Sequence, residues 1–117
     1  MIASSWKVLI QWREMIDLPP AHLNTLRSIL ARHVPECEVR VFGSRANGTA
    51  KPYSDIDLAL VGPARLGGEQ LRLLKEELEE SDLPMRVDVL DWAGISSSFQ
   101  QVIARKYEII QAPTVSI

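Results

Sequence analysis

Apolar residues recur along this chain with helical spacing in some stretches and with alternating spacing in others. The first helix opens at Pro19-Pro20 and ends before Pro35, and its apolar face consists of Leu23, Leu26, Ile29 and Leu30. The alternation in residues 38–42 predicts a strand with one buried face. The later elements are a short helix from Ser44, strands over 55–61 and 86–90, a helix over 69–81, a helix from Ser96 or Ser97 to Lys106, and a strand over 108–110. This order predicts an α/β fold of the α+β type, a small mixed β-sheet with helices on one face.

The beginning of the chain departs from this pattern. Residues 1–14 hold two of the three tryptophans and no clear element boundary, and the globular pattern begins just after Met15. Exposed tryptophans are uncommon on soluble domains. We therefore expect residues 1–14 to be an N-terminal extension that either docks or is poorly ordered, and residues 15–117 to form the one domain that 117 residues allow.

Composition narrows the function classes. The formal net charge of −2 argues against strong nucleic-acid binding, because proteins that live on phosphates carry a basic excess. The single cysteine, Cys37, cannot form an internal disulfide, and no Cys/His cluster suggests zinc. No apolar run approaches the roughly 18 residues that span a bilayer, and no signal peptide is visible. We expect a cytoplasmic protein that does not enter membranes.

Three aspartates fall on strands where their side chains should converge. Asp55 and Asp57 are two residues apart, so both leave the same face of their strand, while Ile56 and Leu58 face the core. If the valines of the next strand face the same core, Asp88 joins them on the open face. Neighbouring carboxylates repel each other, and a divalent cation relieves the repulsion. The set predicts a site for one or two hard cations such as Mg²⁺. Asp91 has the opposite parity and is expected to be a turn or cap residue.

A glycine and a serine stand where the first strand gives way to a short helix. Gly43 permits close approach of the backbone, and a helix start at Ser44 presents N–H groups and a hydroxyl to an anion. A phosphate bound there would lie next to the cations. A phosphate cradle beside an acidic metal cage is the equipment of phosphoryl or nucleotidyl transfer.

Gly43-Ser44, ten intervening residues and then Asp55-Ile56-Asp57 resemble the signature of the DNA polymerase β-like nucleotidyltransferase superfamily. The fuller strings, residues 42–48 and 54–58, resemble its minimal nucleotidyltransferase (MNT) branch, and the likeness extends from about Met15 to Gln111. The paired aspartates alone would be weak support. Their combination with a strand-final Gly-Ser and a third aspartate on the neighbouring strand is specific. The resemblance implies a polymerase β-like nucleotidyltransferase core over residues 15–117.

By this resemblance, Asp55, Asp57 and Asp88 are catalytic residues that hold two Mg²⁺ ions, and Asp88 is also placed to accept the proton of the attacking hydroxyl. Gly43 and Ser44 bind the nucleoside triphosphate, expected to be ATP. Arg45 is predicted to contact phosphates, with a surface salt bridge as the alternative. Arg86 either binds substrate or neutralises the acids when metal is absent.

MNT proteins of this size resemble the antitoxins of toxin–antitoxin pairs whose partner is a HEPN-domain ribonuclease. The resemblance implies an adenylyltransferase that places AMP from ATP on a toxin tyrosine. One alternative is a binding antitoxin whose metal site is idle. Another is nucleotide transfer to a small molecule of the aminoglycoside type, by a homo-oligomer that builds the acceptor site between its subunits.

Overall fold

The structure, a computed structural model, describes residues 16–114. Its elements follow one another as helix α1 (Pro20–His33), strand β1 (Glu38–Phe42), helix α2 (Ser44–Asn47), strand β2 (Ile56–Val61), helix α3 (Gly68–Glu80), strand β3 (Val87–Asp91), a 3₁₀ turn (Trp92–Gly94), helix α4 (Ser97–Arg105) and strand β4 (Glu108–Gln111). The predicted element order is confirmed, with ends that differ by one or two residues. The expected extension over residues 1–14 lies outside the described residues.

The four strands form one mixed sheet in the order β3-β2-β1-β4. Strand β1 runs antiparallel to β2 and to β4, whereas β2 and β3 are parallel. The parallel pair needs a crossover, and α3 supplies it between β2 and β3. By this strand order β3 lies at one edge of the sheet, and its neighbour β2 carries Asp57. The α+β fold class predicted from the element order is confirmed.

The main core lies between one face of the sheet and helices α1 and α3. The four apolar residues predicted for the face of α1 are all buried, and Leu74 and Leu78 of α3 join them. The strands contribute the alternate residues that parity assigned to this face, namely Val39, Val41, Ile56, Leu58, Leu60 and Val89. The two helices are also joined at their surface, where Glu77 accepts hydrogen bonds from Arg32 and His33.

The opposite face of the sheet, which carries the acids, is partly covered. Phe42 points to this face and meets Phe99 of α4 edge to face, with ring centroids 6.1 Å apart. Beside them the guanidinium of Arg40 lies over the rings of Trp92 and Tyr107. The helices of the main core cover one face as predicted, and the structure adds that α4 contacts the other face.

Two further observations concern the ends of elements and the membrane. Ser96 caps α4 by accepting a hydrogen bond from the N–H of Phe99, and Asp91 accepts one from Ala93 in the turn after β3. The turn role of Asp91 and a start of this helix at Ser96 or Ser97 were predicted from the sequence. Within residues 16–114, no helix has the length and apolar character needed to cross a bilayer.

Candidate active site

The turn between β1 and α2 brings the backbone against a carboxylate. Gly43 has φ 72° and ψ −151°, a conformation that is open to glycine and strained for other residues. A Cβ atom at this position would lie 2.6 Å from Asp57 Oδ2. The carbonyl of Gly43 accepts hydrogen bonds from the N–H groups of Ala46 and Asn47, which closes the first turn of α2. The glycine is thus required both by the backbone conformation and by the space left beside Asp57.

The predicted aspartates come together on the acidic face of the sheet. Asp57 pairs across the ladder with Phe42 of β1 on one side and with Asp88 of β3 on the other. Asp55 directly precedes β2, one residue before the ladder begins, and is exposed. The flanking Ile56 and Leu58 are fully buried in the main core, which confirms the alternation that assigned the acids to the other face.

Electrostatics supports this convergence. Partial burial, together with the negative charges of Asp88 and then Asp55, raises the pKa of Asp57 above its usual value. Asp57 is not part of the apolar core, so packing of the core does not explain why this carboxylate lies near two others. A bound cation would favour the ionised form and would relieve the repulsion.

Asp88 already has a cationic partner. Arg86 lies two residues earlier on the same face and its Nη2 is 3.0 Å from Asp88 Oδ1. Of the two roles considered for Arg86, this contact matches neutralisation of the acids. Within the described part of the chain, no three His, Cys, Asp or Glu side chains are gathered into a ready-made metal site. The carboxylates lie on one face of the sheet and interact electrostatically, but they do not surround a common point.

The structure does not bring Arg45 to the phosphate turn as a ligand. Its side chain is buried, with 3% of the residue exposed, and its guanidinium points into the fold. Nη1 donates to the carbonyl of Asp17 at 2.9 Å, and Nη2 donates to the carbonyls of Pro52 and Ser54 at 3.0 and 2.9 Å. This geometry opposes the predicted phosphate contact and also the surface salt bridge. Arg45 instead ties together the segments on either side of the site.

The residues that sequence reasoning missed are aromatic. A cavity of about 690 Å³ adjoins the carboxylates and is lined by Asp57, Asp88, Phe42 and Phe99 among others. Phe99 keeps 38% of its surface exposed even though it contacts Phe42. The spacing of Phe99 and Ile103 on one helical face is a signal for α4 packing on the sheet. The spacing alone does not show which face of the sheet α4 covers, because that depends on the tertiary structure.

Comparison with known proteins shows the family of this chain. Residues 23–112 match the family described as "Nucleotidyltransferase domain". This chain belongs to that family. A relative from Haemophilus influenzae, described as "Probable protein adenylyltransferase MntA", is 44% identical over 96 residues, which cover 82% of this chain and 84% of the relative. The similarity therefore extends over most of both chains.

Solved structures share the fold of this nucleotidyltransferase. One is a toxin–antitoxin structure with AMP-PNP, which matches with a TM-score of 0.65 at 25% identity and covers 79% of this chain and 73% of that chain. Another is the complex of an MNT antitoxin with the tri-AMPylated HEPN toxin of Shewanella oneidensis, with a TM-score of 0.61, 23% identity, and coverage of 80% and 71% of the two chains. The second match, at its lower identity, bears on the fold alone.

Proposed function

We propose that this nucleotidyltransferase is a Mg²⁺-dependent protein adenylyltransferase that transfers AMP from ATP to a tyrosine hydroxyl of a HEPN-domain toxin, and that it is the antitoxin of that pair. The observation that carries the proposal is the contact between the glycine turn and the carboxylate face, where a Cβ on Gly43 would meet Asp57 Oδ2 at 2.6 Å. A triphosphate bound at the turn is thereby brought to the acids that act on it. The name of the Haemophilus influenzae relative supports protein adenylylation, and the toxin–antitoxin neighbour with AMP-PNP supports the donor and the kind of partner.

Gly43 and Ser44 would bind the triphosphate. The absence of a side chain at Gly43 lets a phosphate approach the backbone, and Ser44 at the start of α2 adds a hydroxyl. We assign Arg45 no part in this binding, because its Nη1 and Nη2 groups donate to main-chain carbonyls and its Nε is buried in the fold. Its role is to hold the loop that ends at Ser54, the residue before Asp55.

The chemistry of the three carboxylates suits Mg²⁺, although they are not gathered round one point within the described residues. They offer hard oxygen ligands. Partial burial, and after it the charges of Asp88 and Asp55, raises the pKa of Asp57, and a bound cation would favour the ionised form. Asp55, Asp57 and Asp88 would hold two Mg²⁺ ions, which when bound stabilise the charge that develops on the phosphoryl oxygens and lower the pKa of the acceptor hydroxyl. Asp88 can take part through its second oxygen, Oδ2, while Arg86 stays 3.0 Å from Oδ1. If a cation takes Oδ1 as well, Arg86 becomes available to an incoming phosphate or acceptor.

The reaction is an in-line displacement at the α-phosphorus. The tyrosine oxygen forms a bond to that phosphorus, the bond to the bridging oxygen of the β-phosphate breaks, and pyrophosphate leaves. The phenolic proton passes to the carboxylate of Asp88, which lies beside Asp57 on the neighbouring strand. The product is a tyrosine carrying AMP through a phosphodiester. We place the reaction in the cytoplasm, where ATP is available and where a chain with one buried cysteine, Cys37, needs no disulfide.

The proposal is tested with the purified chain, a cognate HEPN-domain protein, Mg²⁺ and ATP radiolabelled at the α-phosphate. Wild type should transfer label to the partner, and the Asp55→Asn/Asp57→Asn double variant should not. Asp82→Asn, an exposed acid in the loop after α3, is the matched control and should label normally. A stable complex without label would contradict the proposal and would indicate an antitoxin that acts by binding. Label on an added aminoglycoside instead of the partner would indicate a small-molecule acceptor.

A further inference from the structure

On the acidic face of the sheet, the cavity beside the carboxylates has one acidic end and one aromatic wall, and the rest of it continues round β3 to α3. Asp57 and Asp88 form the acidic end, and Phe42 and Phe99 stand next to them. The pairing of Phe42 with Asp57 and of Asp57 with Asp88 sets these three side chains in a row across the sheet. The cavity measures about 690 Å³ in all, and this volume includes the part beside α3 on the other side of β3.

The cavity lies away from the proposed phosphate turn. Among the described residues that line it, neither Gly43 nor Ser44 is present, whereas residues from both faces of the edge strand β3 are, Val87 and Asp88 for example. Asp57 therefore separates two regions, the glycine turn on one side and the cavity on the other. If a triphosphate is held at the turn, the acceptor hydroxyl that attacks it approaches from the cavity side, next to Asp88.

Phe99 is partly exposed and is not part of the main core. It meets Phe42 at an interplanar angle of 87°, and 38% of its surface remains exposed. Aromatic rings attract one another in edge-to-face and offset arrangements, so such a pair offers a surface for a third ring. A phenol matches the cavity in both respects, since its ring would pack on the aromatic wall while its hydroxyl reaches the acidic end.

We propose that Phe42 and Phe99 form the wall that binds the ring of the acceptor tyrosine. The inference rests on the proposed function, because it assigns the acceptor side of the same site. Phe99 is the residue to test. It is partly exposed and its replacement leaves the main core intact, whereas Phe42 lies within the sheet beside Gly43.

The test compares Phe99→Leu with wild type in steady-state transfer of AMP to the HEPN-domain partner, with ATP and partner varied separately. Leucine keeps the apolar volume and removes the ring. We expect kcat/KM for the partner to fall by roughly three- to tenfold, while the KM for ATP stays within about twofold. Val102→Ala is the matched control, because Val102 is 57% exposed on the same helix and does not line the cavity.

The outcomes separate the two proposals. A Phe99→Leu variant that raises the KM for ATP as much as that for the partner would show that the wall binds the nucleobase and would overturn the inference alone. An equal loss in Val102→Ala would show a general contact surface on α4, with the same consequence. Failure of the wild type to label the partner at all would overturn the proposed function and the inference with it. Thermal unfolding of each variant checks that the fold is retained.

Discussion

The buried guanidinium of Arg45 donates a hydrogen bond of 2.9 Å to the main-chain carbonyl of Ser54, the residue that directly precedes Asp55. The same side chain bonds the carbonyls of Asp17 and Pro52, and the N–H of Asp17 returns a bond to the carbonyl of Arg45. One arginine thus connects the lead into α1, the start of α2 and the loop before β2. Its position next to Ser44 couples the glycine turn to the acidic strand through the interior.

Substitution of Arg45 should damage both stability and activity. We expect Arg45→Met to lower the free energy of unfolding by about 2–4 kcal/mol, since three carbonyls lose a charged donor. AMP transfer should fall roughly 10- to 100-fold because the loop before Asp55 loses its anchor. Arg45→Lys should be intermediate, as one ammonium cannot reach all three carbonyls. An Arg45→Lys protein with wild-type unfolding and a raised KM for ATP would instead support the phosphate contact predicted from the sequence.

The glycine turn offers a comparison between two glycines of positive φ. Gly43→Ala should abolish most activity and cost about 1–3 kcal/mol of stability, because its Cβ collides with Asp57 Oδ2 and the backbone is strained. Gly48 has φ 79°, and a Cβ there meets nothing within 4 Å. Gly48→Ala should therefore cost about 1–2 kcal/mol from strain and keep near-normal transfer. Equal activity of the two variants would show that the space beside Asp57 is not needed.

Removing the charge of Asp57 should stabilise the metal-free protein. Because the fold raises the pKa of Asp57, its charge costs stability above the folded pKa, and this cost disappears below the unfolded pKa. In a chelator at pH 7, Asp57→Asn should unfold at a higher temperature than wild type, and the gain should shrink as the pH falls through the pKa of Asp57. Added Mg²⁺ should raise the unfolding temperature of wild type more than that of the variant. A lower unfolding temperature for the variant at pH 7 would contradict this account.

The link between α1 and α3 should give the opposite pH dependence. Hydrogen bonds from Arg32 and then His33 lower the pKa of Glu77, so the stabilisation exists above the unfolded pKa and is lost as the pH falls through the folded pKa. Glu77→Gln should unfold at a lower temperature than wild type at pH 7, by a modest amount because the pair is at the surface. The two proteins should converge in acid. Glu80→Gln, near the end of the same helix, is the control and should match wild type throughout.

Local pattern was enough to predict the elements and the face on which the acids lie. Alternation in β2 assigns Asp57 and the buried Ile56 to opposite faces by geometry alone, and the structure agrees. Contacts between distant segments were not predictable in this way. Arg45 looks like an exposed helix-start residue, and its burial depends on carbonyls of two loops that converge only in the folded chain. The helix that carries Phe99 has a clear helical pattern. Which face of the sheet α4 covers nevertheless depends on the arrangement of all the strands.

The most direct test of the central claim is the intact mass of the HEPN-domain partner after incubation with ATP, Mg²⁺ and a small molar fraction of this chain. Catalysis predicts that nearly all of the partner gains the mass of an adenylyl group, that is AMP less one water, with fragmentation locating the group on a tyrosine. The Asp55→Asn/Asp57→Asn variant should leave the mass unchanged. A partner of unchanged mass that is neutralised only at equal molar amounts would contradict the account and would make the carboxylate face a remnant in a binding protein.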